Sequence, residues 1–144
     1  MSQESAAFSC AMLMNQDSRP NTSSSELLVF VYGRMKRGGE AHAYLAGARD
    51  CGPVITAASY ELVDLGGFPG LIADGGTAVH GELYAVDGPT LANIDELEDH
   101  PDTFHRDTIL LEDGREVIGY VLPLSQALGF PRVESGTWDV ALAS

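Results

Sequence analysis

Six residues, Leu27-Leu28-Val29-Phe30-Val31-Tyr32, run without a charge and stop at Gly33-Arg34-Met35-Lys36-Arg37-Gly38-Gly39. A run this apolar and rich in β-formers reads as a strand buried on both faces, so the rest of the domain has to be built around it. The loop after it is basic and punctuated by glycine. A strand delivers such a loop to a fixed place, Gly33 permits a turn or a close ligand approach, and successive N–H groups can converge on a carboxylate or phosphate.

At 144 residues and 44% hydrophobic content the chain suits one domain with a real core. Eight Lys and Arg stand against 21 Asp and Glu, a formal charge of −13. That balance disfavours nucleic acid and anionic membranes as partners, and it makes most of the carboxylates a solvated surface. No apolar run reaches the ~20 residues that span a bilayer, and residues 1–25 have neither a basic n-region nor a continuous h-region. The expectation is a soluble, cytoplasmic protein. Cys10 in the tail and Cys51 beside Gly52-Pro53 make no disulfide framework, which fits a reducing compartment. Polar breakers between Asn15 and Ser25 mark residues 1–25 as a flexible extension and 26–144 as the domain, with a monomer as the default.

Along the domain, residues 27–32 predict a strand and 40–46 a short helix. Val54 to Leu65 has strand character, Gly66-Gly67-Phe68-Pro69-Gly70 is a turn, Leu71-Ile72-Ala73 resumes the strand, and Asp74-Gly75-Gly76 breaks it. Residues 79–86 alternate at period two. Asp87 as N-cap and Pro89 in the first turn open a helix over about 89–98, with Leu91, Ile94 and Leu97 on one stripe. Residues 103–112 and 115–122 flank Asp113-Gly114 as an antiparallel pair, and Trp138 packs on the body of the domain. Five or six strands with one or two short helices predict an α+β domain in the form of a small mixed β-barrel.

One acid falls on the wrong face. At ~100° per residue Glu98 lies roughly 20° from Leu91 and about 40° from Ile94, whereas Glu96 faces the other way. A carboxylate in an apolar site must find donors or raise its pKa, and a carboxyl raised toward neutrality is a competent general base. A frayed helix end that turns Glu98 to solvent is the competing reading of the same spacing.

Val31-Tyr32-Gly33-Arg34-Met35-Lys36-Arg37-Gly38, Val79-His80-Gly81-Glu82-Leu83-Tyr84 and the segment from Leu91 to Glu98, in this order and spacing, resemble the γ-glutamylcyclotransferase-like family, particularly its short branch of γ-glutamylamine cyclotransferases and bacterial homologues. Gly67-Phe68-Pro69-Gly70, Phe104-His105-Arg106 and Glu134-Ser135-Gly136-Thr137-Trp138 extend the resemblance over about 27–138. It implies a compact mixed barrel, a γ-glutamyl α-carboxylate held by the backbone amides of Gly33, Arg34 and Met35, and Glu98 as the catalytic acid. Arg34 departs from a commoner small hydroxyl residue, Met35 from Leu, Asp99 from Gly and Phe104 from Tyr. Arg34 could strengthen anion binding or narrow the pocket. Asp99 could raise the pKa of Glu98 or point to water.

The implied reaction closes 5-oxoproline by attack of the substrate's α-amine on its own γ-carbonyl and frees the amine that had been acylated. It needs no cofactor. Glu98 would take the amine's proton and return it to the leaving nitrogen, and the loop would fold the substrate back on itself. Tyr32 and Tyr120 could lend hydroxyls to the pocket or serve as core packing. Arg106 suits a structural ion pair. His42, His80, His100 and His105 show no metal-ligand spacing, Ser59 and Ser135 lack a nucleophile-elbow context, and the Gly33 loop lacks the Lys-Ser ending of a P-loop. The expected partner is thus a small γ-glutamyl amine or γ-glutamyl amino acid, its leaving group open. The other class of reading is a non-enzymatic module that binds a small metabolite in the same pocket or regulates a partner.

Overall fold

The computed structural model describes residues 26–100 and 102–138; the N-terminal extension 1–25 and the end of the domain at 139–144 lie outside them. Seven strands are present: β1 (Leu27–Val31), β2 (Arg49–Ile55), β3 (Tyr60–Asp64), β4 (Pro69–Thr77), β5 (His80–Val86), β6 (His105–Leu110) and β7 (Glu116–Val121). Among the described residues these are joined by two α-helices, α1 (Gly88–Leu97) and α2 (Leu124–Ala127), and a 3-10 turn at His42–Leu45.

β1 is the centre, as its uninterrupted apolar sequence demands. It pairs antiparallel with β5 (Val29 opposite Tyr84) and parallel with β7 (Val29 opposite Ile118), in a mixed sheet of order β2-β5-β1-β7-β6. Its side chains alternate between two buried clusters: Leu28, Phe30 and Tyr32 join Leu62, Leu71 and Leu83 on one face. Val29 and Val31 meet Leu91, Ile94 and Tyr120 on the other. Both faces are buried, which is why no polar residue interrupts the strand.

The expected barrel is not closed. The edges β2 and β6 meet only where they end, at a Thr56–Leu111 bridge with Ala57 N–H donating to the Leu110 carbonyl and Glu112 N–H to that of Ile55, both at 2.9 Å. β3 and β4 form a separate two-stranded sheet. The class is α+β as expected, with seven strands rather than five or six.

Two local expectations also change. The strand-like run 54–65 divides at Ala57-Ala58-Ser59, where Thr56, fully buried, donates its hydroxyl to the Ala57 carbonyl and accepts from Val79 N–H. Asp74-Gly75-Gly76 does not end β4, which runs on to Thr77 past a register shift opposite Tyr60 and Glu61. A Cβ at Gly75 would stand 2.5 Å from Glu61 Oε1 and 2.6 Å from the Tyr60 carbonyl oxygen. The glycine there admits close packing inside a strand. Cys51, on bulged β2, is disulfide-bonded, which corrects the expectation that the cysteines form no disulfide framework. Trp138 is buried as expected. No helix among the described residues is long and apolar enough to cross a membrane.

Candidate active site

The loop after β1 is organised through its carbonyls. Gly33 C=O accepts from Lys36 N–H (2.9 Å), Arg34 C=O from Ala41 N–H (3.0 Å), and Lys36 C=O from Gly39 N–H (2.8 Å). The Met35 carbonyl is met by His42 Nδ1 at 2.9 Å, which gives that histidine a structural role. Glu82 on β5 accepts from Arg37 N–H (2.9 Å) and from the Tyr84 hydroxyl (2.7 Å), tying the far side of the loop to the sheet. By contrast, the N–H groups of Gly33, Arg34 and Met35 have no acceptor among the described residues. Three successive donors are thus left without protein acceptors in a turn held by its carbonyls, the kind of arrangement that can take an anion. Gly33 is required by a neighbour: a Cβ would stand 2.4 Å from Pro69 Cγ.

α1 supplies the acid. Asp87 caps its start by accepting from Thr90 N–H (2.9 Å), and Leu91 and Ile94 anchor it to the core. Its end is a Schellman motif: Asp99 N–H donates to Glu96 C=O (3.2 Å) and His100 N–H to Asp95 C=O (2.9 Å), with Asp99 at φ 58°. That left-handed conformation is the reason glycine suits this position. Asp99 itself is exposed and accepts from the Thr103 hydroxyl at 2.7 Å, so its carboxylate is engaged outside the cleft.

The motif fixes Glu98 as the C-cap residue, lining the same cleft as Gly33, Arg34 and Met35 and only partly open to solvent. No hydrogen-bond donor among the described residues reaches its carboxyl. Burial raises its pKa from 4.5 to about 7, against a smaller downward pull from the Arg34 cation.

Phe30, Val31, Tyr32, Phe68, Pro69 and Tyr120 line the rest of the cleft. The structure therefore brings together all six expected site residues, but two of them are already committed. Tyr32 donates its hydroxyl to the Tyr120 carbonyl (2.9 Å) and accepts from Leu71 N–H (3.2 Å), tying β1 to β7 and β4. Burial first, then the charge of Glu98, pushes its phenol well above the ordinary range. Tyr120 donates to Asp95 Oδ1 at 2.5 Å, and burial followed by that bond raises its pKa as well. Asp95 also pairs with Arg106 Nε at 3.1 Å, the structural role expected of that arginine. Both tyrosines wall the cleft and neither hydroxyl is idle.

Sequence reasoning missed Phe68 and Pro69 as lining residues, and Asp95 as the anchor of Tyr120. Asp95 stood three positions before Glu98 on the same helix, the one available signal, but its partner is 25 residues away.

Residues 29–140 match the family described as gamma-glutamyl cyclotransferase, AIG2-like. A Vibrio cholerae serotype O1 protein, provisionally named a gamma-glutamylcyclotransferase, is 42% identical over 111 residues, 77% of this chain and 94% of that one. Among solved structures, a uropathogenic Escherichia coli-specific protein aligns with TM-score 0.69 and 27% identity over 78% of this chain and 91% of its own. A mouse AIG2-like protein aligns with TM-score 0.64 and 28% identity over 79% and 88%. A family match over residues 29–140 and a 42% identical relative covered over 94% of its length show that the chain belongs to the AIG2-like gamma-glutamyl cyclotransferase family.

Proposed function

We propose that this protein is a γ-glutamyl cyclotransferase, acting on a γ-glutamyl amine or γ-glutamyl amino acid with Glu98 as general base and acid. The observation that carries the reading is the pairing, in one cleft, of an unpartnered, buried carboxyl raised to about 7 with three unpaired backbone donors. The donors suit the substrate's free α-carboxylate. Anchored there, the substrate's α-amine and γ-carbonyl are brought together, so a flexible chain cyclises as a positioned one.

The step balances without a co-reactant. The neutral α-amine attacks the γ-carbonyl carbon and the new C–N bond closes the five-membered lactam. Glu98 takes the proton that this nitrogen sheds and delivers it to the leaving nitrogen as the old amide C–N bond breaks. A carboxyl near 7 divides these duties well, since it is a stronger base than an ordinary carboxylate and is still ionised in part at neutral pH.

The test is 5-oxoproline release, followed by mass spectrometry, from γ-glutamyl amino acids and γ-glutamyl amines by the parent and by Glu98→Gln. Release by the parent and a loss of at least about a hundredfold in the variant is the expected result. Tight binding of these compounds without turnover in the parent would instead support the non-enzymatic metabolite-binding module, and equal release by both proteins would remove Glu98 from its role.

A further inference from the structure

Of the residues lining the cleft, Phe30, Val31, Tyr32, Gly33, Met35, Pro69 and Tyr120 are buried; only Arg34, Phe68 and Glu98 reach solvent in part. The open side of the cleft is therefore bordered by Arg34, Phe68 and Glu98. A γ-glutamyl group seated on the amides beside Glu98 would carry its amine toward this side, next to Arg34 and Phe68.

These two side chains are built against each other. The Arg34 guanidinium lies 5.1 Å from the Phe68 ring centroid, a cation over an aromatic face. Phe68 is held by the turn before it: Asp64 Oδ1 accepts from Gly66 N–H (2.8 Å) and Gly67 N–H (3.2 Å), and Leu65 N–H donates to the Phe68 carbonyl (2.9 Å). Arg34 Nη1 also pairs with Glu40 at 3.1 Å, but that glutamate side chain is 70% exposed against 29% for Arg34. A pair so open to water is weak, and an arriving carboxylate can take the place of Glu40 at little cost. Held over the Phe68 ring, the Arg34 guanidinium still has N–H donors that a carboxylate can take in a bidentate pair.

We propose that Arg34, backed by Phe68, is a charge filter for the leaving amine, favouring γ-glutamyl compounds whose leaving group carries a carboxylate next to its nitrogen over neutral and cationic amines. This deepens the function proposed above and rests on it. The chain's overall negative charge would by itself draw cationic amines, so the preference has to come from this local cation. A terminal ammonium at the rim would face the guanidinium, like charge to like.

Three substrates that share the γ-glutamyl half isolate the effect: γ-glutamylalanine with a carboxylate, γ-glutamylethylamide with none, and mono-γ-glutamylputrescine with an ammonium. The parent should rank them in that order by kcat/KM, with a span of at least about tenfold between the first two, as expected of a charge-assisted contact at a half-exposed site. Arg34→Ser should bring the three close to parity and Arg34→Lys should keep the order with a smaller span. Phe68→Leu should narrow it about two- to fivefold. Arg34 also acts on Glu98, but that influence is common to all three substrates and cancels in the ratios. An equal loss on all three in Arg34→Ser would show that the guanidinium holds the shared γ-glutamyl half and would overturn the filter, as would unchanged ratios. If the parent releases no 5-oxoproline from any of them, the proposed reaction itself falls, and the filter with it.

Discussion

Glu61 on β3 and Glu98 at the end of α1 are both carboxylates drawn out of water, and they are treated in opposite ways. Glu61, 8% exposed, accepts from the Thr77 hydroxyl at 3.2 Å and pairs with Arg132 at 3.4 Å. Glu98 has no donor among the described residues and lies in an open cleft beside three unpaired amides. A carboxylate that is buried and satisfied ties strands together. One that is buried and left without partners is costly only when ionised, so it keeps its proton toward neutrality, and the surrounding fold bears the cost of its charge above that.

The comparison breaks most visibly in turnover. Glu98→Gln keeps the shape of the side chain and should abolish at least about 99% of 5-oxoproline release, whereas Glu61→Gln should leave kcat within about twofold of the parent. Stability should answer the other way. Glu61→Ala strips partners from Thr77 and Arg132 and should cost about 2 kcal/mol by urea unfolding, with activity per folded molecule preserved. The smallest effect is expected beside the acid. Asp99→Gly relieves the left-handed φ of 58° but loses the bond from Thr103. It should change stability by less than about 1 kcal/mol and leave the pH profile of kcat/KM in place. A displaced profile would mean that Asp99 acts on Glu98 by charge as well as by backbone geometry.

Much of this arrangement was legible in the residues themselves. An uncharged run marked β1 as central, the Asp87-Gly88-Pro89 start fixed the phase of α1, and that phase set Glu98 on the stripe of Leu91 and Ile94. What was not legible depends on contacts between distant segments. Asp74-Gly75-Gly76 looks like a chain break, and only the press of Tyr60 and Glu61 across the sheet shows why glycine sits inside a strand there. Tyr120 reads equally as a wall or as a donor until Asp95 is seen to hold its hydroxyl. Gly33 suggested an unusual turn, yet the reason for it is the ring of Pro69, 36 positions along the chain. The failure of the barrel to close is of the same kind, since no local pattern says that β2 and β6 touch at one bridge and not along their length.

The central claim is that Glu98 keeps its proton to about neutrality because the fold buries it without partners. The folded pKa of about 7 lies above the ordinary 4.5, so between those values the folded chain holds a proton that the unfolded chain has released. Its contribution to stability must therefore fall as pH rises from about 4.5 to about 7 and then level off, by about 3 kcal/mol at ~1.36 kcal/mol per unit. The direct measurement is the unfolding free energy of the parent minus that of Glu98→Gln, by urea titration at pH 5 to 8.5. A difference that moves against the parent by about 2 to 3 kcal/mol across pH 5 to 7 and is flat above is the predicted result. A difference that is flat throughout would show that Glu98 ionises as an ordinary carboxylate and would contradict the account.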